Sequence, residues 1–473
     1  MRRREVLKAA GGLTGVALLS GARVRANTRP TALVVGSGIA GLSAAYDLLQ
    51  AGFHVSIMEK ESIPGGRMVN TWVGPRYLNQ HAGGVLTAYR EMFALGDEVG
   101  VNLHGDIPYD ESLIDNGHGL YNHALRFHFT EVMNVPGLSE ETKQKLPQLV
   151  PDLARYRSEV DPCYIVTGVD YDVESLEGYF KRVLGKEAGQ EIIDYWIDPV
   201  CDAWGSLPEM STCVANLSWL AQQDAEFNIP HDGIGVLTRR LAELVDIRYD
   251  TTVMRIGGAD ARGQHRVHYL TAEGDRQSVA ADIVVCAVEG KYVPHLLEEQ
   301  SRKQRELLEA TFFTKAASVC YLLKEEYAPG EFVYGRYIGR HPDEHKRRIY
   351  YWGANPQDWA DRDKRPSVEV DLARREHARW LESGLPLQSY GLRLLKPFHP
   401  VEPHMIDDIV VLGGDDLVDM PVGYVKKMAA VIGEQESRRR GLYLCGEYLG
   451  APHTGGACAS GRNVARNIIV HWT

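Results

Sequence analysis

The sequence predicts an α/β chain: a discontinuous Rossmann-type dinucleotide-binding domain built from separated pieces, with an α+β second domain between them. Three observations predict it. An apolar strand, Thr31-Ala-Leu-Val-Val35, runs straight into Gly36-Ser-Gly38-Ile39-Ala40-Gly41, which opens an apolar helix. A second apolar strand, His54-Val-Ser-Ile-Met58, ends at Glu59, eighteen residues beyond Gly41. Near the other end of the chain, Gly441-Leu-Tyr-Leu-Cys-Gly446-Glu447 precedes another glycine-rich helix opening, Gly455-Gly456-Ala457-Cys-Ala-Ser-Gly461.

Each element has a physical reason. Gly36 permits the tight turn, Gly38 lets the backbone approach a pyrophosphate, and Gly41 lets helix and strand pack closely. Ile39 and Ala40 then open a helix whose N-terminus favours phosphate. Glu59 stands where a ribose hydroxyl needs an acceptor. Lys60 follows it and is counted with the cofactor residues. Gly65-Gly66-Arg67 adds a second flexible loop and a guanidinium able to pair with phosphate or flavin oxygens.

These motifs resemble the FAD-binding signature of the flavin amine oxidase superfamily, which includes monoamine and polyamine oxidases, protoporphyrinogen oxidase and the phytoene desaturases. The resemblance implies that Gly446-Glu447 lies beside the flavin ribityl chain, and that the helix opened by Gly455, Gly456 and Ala457 points at the isoalloxazine. Two weaker matches agree in order. His231-Asp-Gly-Ile-Gly235 leads to Ile247–Val253, where the family places the Val253 backbone against adenine. Ala281-Asp-Ile-Val-Val-Cys-Ala287 matches the strand that returns to the nucleotide sheet. The implied FAD-binding domain comprises 29–105, 231–300 and 440–473. The substrate domain takes 106–230 and 301–439, which match nothing specific.

Composition narrows the classes. The chain has 473 residues, 44% hydrophobic and 24% charged, with a net charge of −11, so it is globular rather than disordered. The basic runs Lys346-Arg-Arg348 and Arg438-Arg-Arg440 are short, so no nucleic-acid partner is expected. Seven cysteines form no Cys-x-x-Cys pair, and no metal site is expected. Met1-Arg-Arg-Arg-Glu precedes a mild, glycine-rich apolar stretch and Ala26, which together look like a twin-arginine signal peptide over 1–26. Periplasmic or secreted location follows, reached through the twin-arginine export machinery, a route that carries folded cargo.

In the second domain the spacing predicts helices at Ser175–Leu184, Ala188–Val200, Ser301–Ala310 and Val368–Ser383. It predicts strands at Ala316–Leu323, Arg348–Trp352 and the segment beginning at Tyr390.

The catalytic candidates come from aligning the motifs with the family. Ser318 falls where amine oxidases carry the lysine that holds a water at flavin N5, with Lys315 three residues earlier. His453, just before the Gly455 helix opening, replaces a clamp aromatic and is expected to serve as acid, base or polar clamp. After Arg67 the family's acidic flavin loop reads Tyr77-Leu-Asn79-Gln-His81-Ala-Gly83-Gly84, making His81 a candidate and Gly83 and Gly84 the close approach. Trp352 is the candidate pocket aromatic, and Trp204 a weaker one. No cysteine occupies the position used for covalent attachment, so dissociable FAD is expected. The expected activity is two-electron removal from a C–N or C–C unit of a small organic substrate, with oxygen or another acceptor taking the electrons. A desaturase or protoporphyrinogen-oxidase-like enzyme and a non-catalytic flavin-binding maturation partner are the alternatives.

Overall fold

The computed structural model describes residues 29–473 except 74–75, 83, 106–110, 117, 123–128, 199–205, 223, 229, 231, 328–334, 341–347, 354–366, 397–400 and 438–440. Strand β1 (Thr31–Val35) turns into helix α1 (Ile39–Gln50) and continues to β2 (His54–Met58). A hairpin, β3 (Met68–Val73) and β4 (Arg76–His81), leads to α2 (Arg90–Val99), β5 (Glu111–Asp115) and β6 (Leu120–Asn122). Helices α3 (Leu176–Leu184) and α4 (Cys213–Leu220) precede β7 (Asp246–Arg248), β8 (Thr252–Ala259), β9 (His265–Leu270), β10 (Arg276–Ala281) and β11 (Ile283–Cys286). Then come α5 (Arg302–Ala310), β12 (Phe312–Leu323), β13 (Gly335–Arg340), β14 (Arg348–Gly353) and β15 (Ser367–Ala373). The chain closes with α6 (Arg374–Ser383), α7 (Leu387–Leu395), β16 (Ile406–Asp419), α8 (Tyr424–Glu436), β17 (Leu442–Leu444) and α9 (Thr454–Trp472).

The α/β expectation holds. A five-stranded parallel sheet, ordered β17-β11-β1-β2-β7, gathers strands from four separated stretches of chain. Parallel strands need crossovers and are covered on both faces, so β1 and β11 read as continuous apolar runs. Alternation along β1 sends Ala32 and Val34 into a core with α1 and α9, and Leu33 and Val35 into a second core with Cys286, Leu444 and Tyr448.

The second sheet has seven strands, ordered β16-β12-β15-β14-β13-β5-β6, antiparallel except where β13 pairs with β5. Two local expectations fail here. Val368–Ser383 is not one helix: Ser367–Ala373 is strand β15 and only Arg374–Ser383 is helical. Val368, Val370 and Leu372 are buried at period two, which wins over the charged residues between them. The segment from Tyr390 is helix α7, with Leu387, Tyr390, Leu394 and Leu395 buried at helical spacing. The helix expected over Ala188–Val200 passes into one turn of π-helix at Ile193–Ile197. Ser301–Ala310 forms α5 as expected, started by a capping box between Ser301 and Gln304.

Candidate cofactor and substrate site

The site begins at the turn between β1 and α1. Gly36 is left-handed at φ 99°, and a Cβ there would lie 3.1 Å from the Ala287 carbonyl oxygen. A Cβ on Gly41 would fall 2.0 Å from the Gly36 oxygen, so this glycine is dictated by helix–strand packing. Gly38 differs: nothing lies within 4 Å of a Cβ built there. The protein's own packing gives no reason for glycine at 38, whereas a ligand backing onto the turn does. Helix α1 starts immediately beyond, and its first-turn amides, including those of Ile39 and Ala40, have no intrahelical acceptor.

Glu59 supports this turn from the end of β2. It is buried, and its Oε2 accepts the Ser37 amide and hydroxyl, each at 2.7 Å. Oε1 accepts the Glu61 amide at 2.9 Å. The Glu59 backbone oxygen takes the Thr251 amide at 2.8 Å, which brings β8 and Val253 alongside. Lys60 does not join them. Its ammonium lies 3.1 Å from Glu61 and both side chains are about 60% exposed, because the strand has already left the sheet.

The Gly65-Gly66-Arg67 loop docks on the same turn. The Gly65 amide donates to the Ser37 oxygen at 2.9 Å, and a Cβ on Gly66 would lie 3.4 Å from the Gly38 Cα. The Arg67 guanidinium forms an ion pair with the buried carboxylate of Glu447. Motifs 380 residues apart in sequence thus meet through one charge pair. Gly446 takes φ 147°, and its amide donates to the Ser460 hydroxyl of α9 at 3.1 Å. Behind it, glycines at 456 and 461 admit backbone contacts: Cβ atoms would fall 2.3 Å from Ala451 and 2.1 Å from the Ala40 oxygen. Gly455 faces Tyr89 and Cys163, and Ala457 is half-buried against the α1 core.

Of the roles expected of His453, acid, base or polar clamp, its bonding pattern speaks against the first two. It is the N-cap of α9. Its Nδ1 accepts the Gly456 amide at 3.1 Å, and Nε2–H donates to the Pro162 oxygen at 2.9 Å. The ring stacks on Tyr89, with centroids 4.5 Å apart and planes 5° from parallel. Both nitrogens are engaged, so the imidazole is a neutral clamp between α9 and the loop at Pro162, not an open base. Burial pushes its pKa down to about 4, with the Pro162 bond acting in the opposite sense. The sign follows. The folded state refuses a proton that the unfolded chain accepts, so stability present above about pH 6.5 is lost as pH falls toward 4. The loss reaches about 3 kcal/mol. Thermal unfolding across that window should show a steeper acid decline in the wild type than in His453→Asn. Parallel declines would remove this histidine from the account.

The other candidates divide. Ser318 sits in the middle of β12, directly opposite Asp371 of β15, and its hydroxyl donates to that carboxylate. Lys315 is exposed and, three residues away along a strand, belongs to the opposite face, so it cannot stand in for Ser318. Trp352 stands in β14 between Glu369 and Arg336, and His81 in β4 opposite Met68; of these two the structure describes the register alone. Gly84 is explained by packing, since a Cβ would lie 2.6 Å from Phe227 and from the Asn228 oxygen. Gly83 and Trp204 lie outside the described residues. Sequence reasoning missed Ser37, Tyr89 and Asp371. The Val368-Glu-Val-Asp371-Leu alternation was the available signal for the last.

The residues present fit a dinucleotide: an open glycine at the head of α1, a buried acid on the next strand, and a second loop docked against the first. Residues 39–469 match the family model described as flavin containing amine oxidoreductase. Protoporphyrinogen oxidase 2 of Arabidopsis thaliana is 27% identical over 169 residues, 35% of this chain and 30% of that protein. Lysine-specific histone demethylase 1 homolog 2 of Oryza sativa subsp. japonica is 27% identical over 264 residues, 54% of this chain and 31% of that protein. The matches thus span less than a third of either curated relative. Among solved structures, putrescine oxidase bound to putrescine superposes with a TM-score of 0.67 at 15% identity, covering 94% of this chain and 99% of that one. Cyclohexylamine oxidase from Brevibacterium oxydans IH-35A gives 0.65 at 13%, covering 93% and 99%. A fatty acid isomerase from P. acnes gives 0.63 at 17%, covering 92% and 98%. At these identities the structures speak for the fold.

Proposed function

The chain belongs to the flavin-containing amine oxidoreductase family, and from that premise we propose an FAD-dependent oxidoreductase that takes two electrons from a C–N or C–C unit of a small organic substrate. The observation that carries the reading is the junction of Arg67 with Glu447, which joins the N-terminal phosphate loop to the C-terminal motif. Gly36, Gly38 and the head of α1 would hold the diphosphate, Glu59 a ribose, and the Val253 strand the adenine side. Bound FAD supplies the two-electron acceptor. The chain's own share is placement. Arg67 and Glu447 neutralise each other beside the cofactor cleft, His453 fixes the start of α9, and the seven-stranded sheet presents the substrate.

The test is anaerobic bleaching of the flavin band by a panel of amines, amino acids and cyclic compounds. Hydride donors should bleach it; a protein that purifies without flavin would contradict the assignment. The absence of the family's lysine and clamp aromatic, where Ser318 and His453 stand, favours a second reading, a desaturase-like reaction at a C–C unit, and a panel answered only by cyclic compounds without a C–N bond would select it.

The flavin is held without a covalent bond on this reading. Acid precipitation should release all FAD to the supernatant, and a yellow pellet would reveal a linkage. We also propose that the protein is exported folded by the twin-arginine machinery to the periplasm or beyond. Arg3 and Arg4 ahead of the apolar stretch motivate this. Changing both to lysine should trap flavin-loaded precursor in the cytoplasm, and normal export of that variant would argue for another route.

A further inference from the structure

Ser318 and Asp371 form a polar pair where a sheet normally buries apolar side chains. On one face of this sheet Ala317, Val319, Tyr321, Val370 and Leu372 pack under α7, with Trp380 of α6 at the edge. Ser318 and Asp371 belong to the other face, opposite those helices, where Cys320 and Leu322 are buried further along β12 and this pair is half-buried. The backbone is irregular at the same point. Ala317 pairs with Gly414 and Val319 with Val411, so two residues of β16 oppose Ser318 alone. Such bulges re-aim a side chain and recur beside active sites.

Two connections tie the strands on either side of Ser318 to the cofactor elements. The Thr311 hydroxyl, one residue before β12, lies 2.9 Å from the Tyr424 hydroxyl, which donates to the Tyr448 oxygen at 3.0 Å, directly after Gly446-Glu447. Strand β16 packs against β4, the hairpin strand that follows Arg67.

We propose that Ser318, held by Asp371, is the specificity-determining acceptor for an N–H or O–H group on the substrate. Because the hydroxyl hydrogen is committed to the carboxylate, the Ser318 oxygen turns its lone pairs outward and accepts more strongly than a free hydroxyl. The pair therefore selects substrates that carry a donor beside the carbon to be oxidised, and it disfavours fully substituted nitrogen. Asp371 acts through Ser318 and is a positioning residue. This inference rests on the flavoenzyme reading above and names what that site recognises.

The probes are cyclohexylamine, cyclohexanol and the cyclohexyltrimethylammonium ion, which keeps the ring and the charge but has no donor. Their dissociation constants for the FAD-loaded protein are read by calorimetry and flavin difference spectra. Cyclohexylamine or cyclohexanol should bind the wild type, and Ser318→Ala should weaken it about tenfold. Asp371→Asn should do the same, the double variant should lose no more than either single one, and Ser318→Thr should restore binding. The quaternary ion should bind weakly and equally to all variants. The pair is overturned if the single losses add, if the quaternary ion loses as much as the amine, or if a flavin-replete wild type binds neither donor probe. Flavin content separates the two readings: protein that cannot be loaded with FAD fails the cofactor assignment, whereas loaded protein with unaltered binding fails the pair alone. Matched unfolding midpoints for the variants guard against misfolding.

Discussion

Gly38→Leu should give a folded but colourless protein. No protein atom lies within 4 Å of a Cβ at position 38, so the new side chain meets empty space in the cofactor-free chain and stability changes little. The same side chain enters the volume that a diphosphate needs at the head of α1. Overpacking a close contact costs about 3 kcal/mol, which lowers FAD affinity at least ~100-fold. Gly41→Leu should behave in the opposite way. Its Cβ would fall 2.0 Å from the Gly36 oxygen and 3.1 Å from the Ala287 Cβ, so the fold itself yields. Two glycines of one motif then separate by phenotype. Circular dichroism and flavin absorbance on the purified variants check it. A yellow, stoichiometrically loaded Gly38→Leu protein would defeat the cofactor assignment.

Arg462→Met should destabilise the protein by about 2–3 kcal/mol, less than the full cost of breaking a buried pair because one of its partners, Glu98, is exposed. Arg462 lies on α9 with its side chain 9% exposed. Its Nε donates to Asp47 of α1 at 3.1 Å and an Nη to Glu98 of α2 at 2.8 Å, with Glu91 3.5 Å away. One guanidinium therefore ties three helices around the nucleotide sheet. Burial already raises the Asp47 carboxyl, with Arg462 opposing that rise. Without the arginine, Asp47 is left largely shielded from water near Glu91 and the more exposed Glu98. The neighbouring Arg466, half-exposed and paired with Glu91 at 2.7 Å, gives the contrast. Its replacement should cost no more than about 1 kcal/mol. Urea unfolding of both variants measures the difference, and equal small losses would show that water reaches the cluster.

The nucleotide half was legible in the residues because its constraints are local. A turn that needs φ near 99° at Gly36, a helix that must start at once, and an apolar strand ending on an acid leave few other residue choices. The Arg67–Glu447 junction follows the same logic at long range, since both partners sit on motifs that were readable separately.

In the substrate half the residue pattern underdetermined the structure. The residue patterns of Val368–Leu372 and Tyr390–Leu395 each point to the wrong secondary structure. Short apolar runs satisfy either period until a neighbouring sheet or helix chooses the face to bury. The same limit governed the histidine. Its place before α9 was fixed by motif spacing, but its role depended on Pro162 and Tyr89, which are remote in sequence and meet it only in the folded chain. By itself the sequence determined the parallel sheet, the glycine turn and the acids that flank it, because backbone geometry demands particular residues there. Tertiary structure decided which face Ser318 presents, that Asp371 holds it, and that His453 is a clamp with both ring nitrogens bonded. Side-chain function depends on partners brought from distant strands and on the water excluded when they pack.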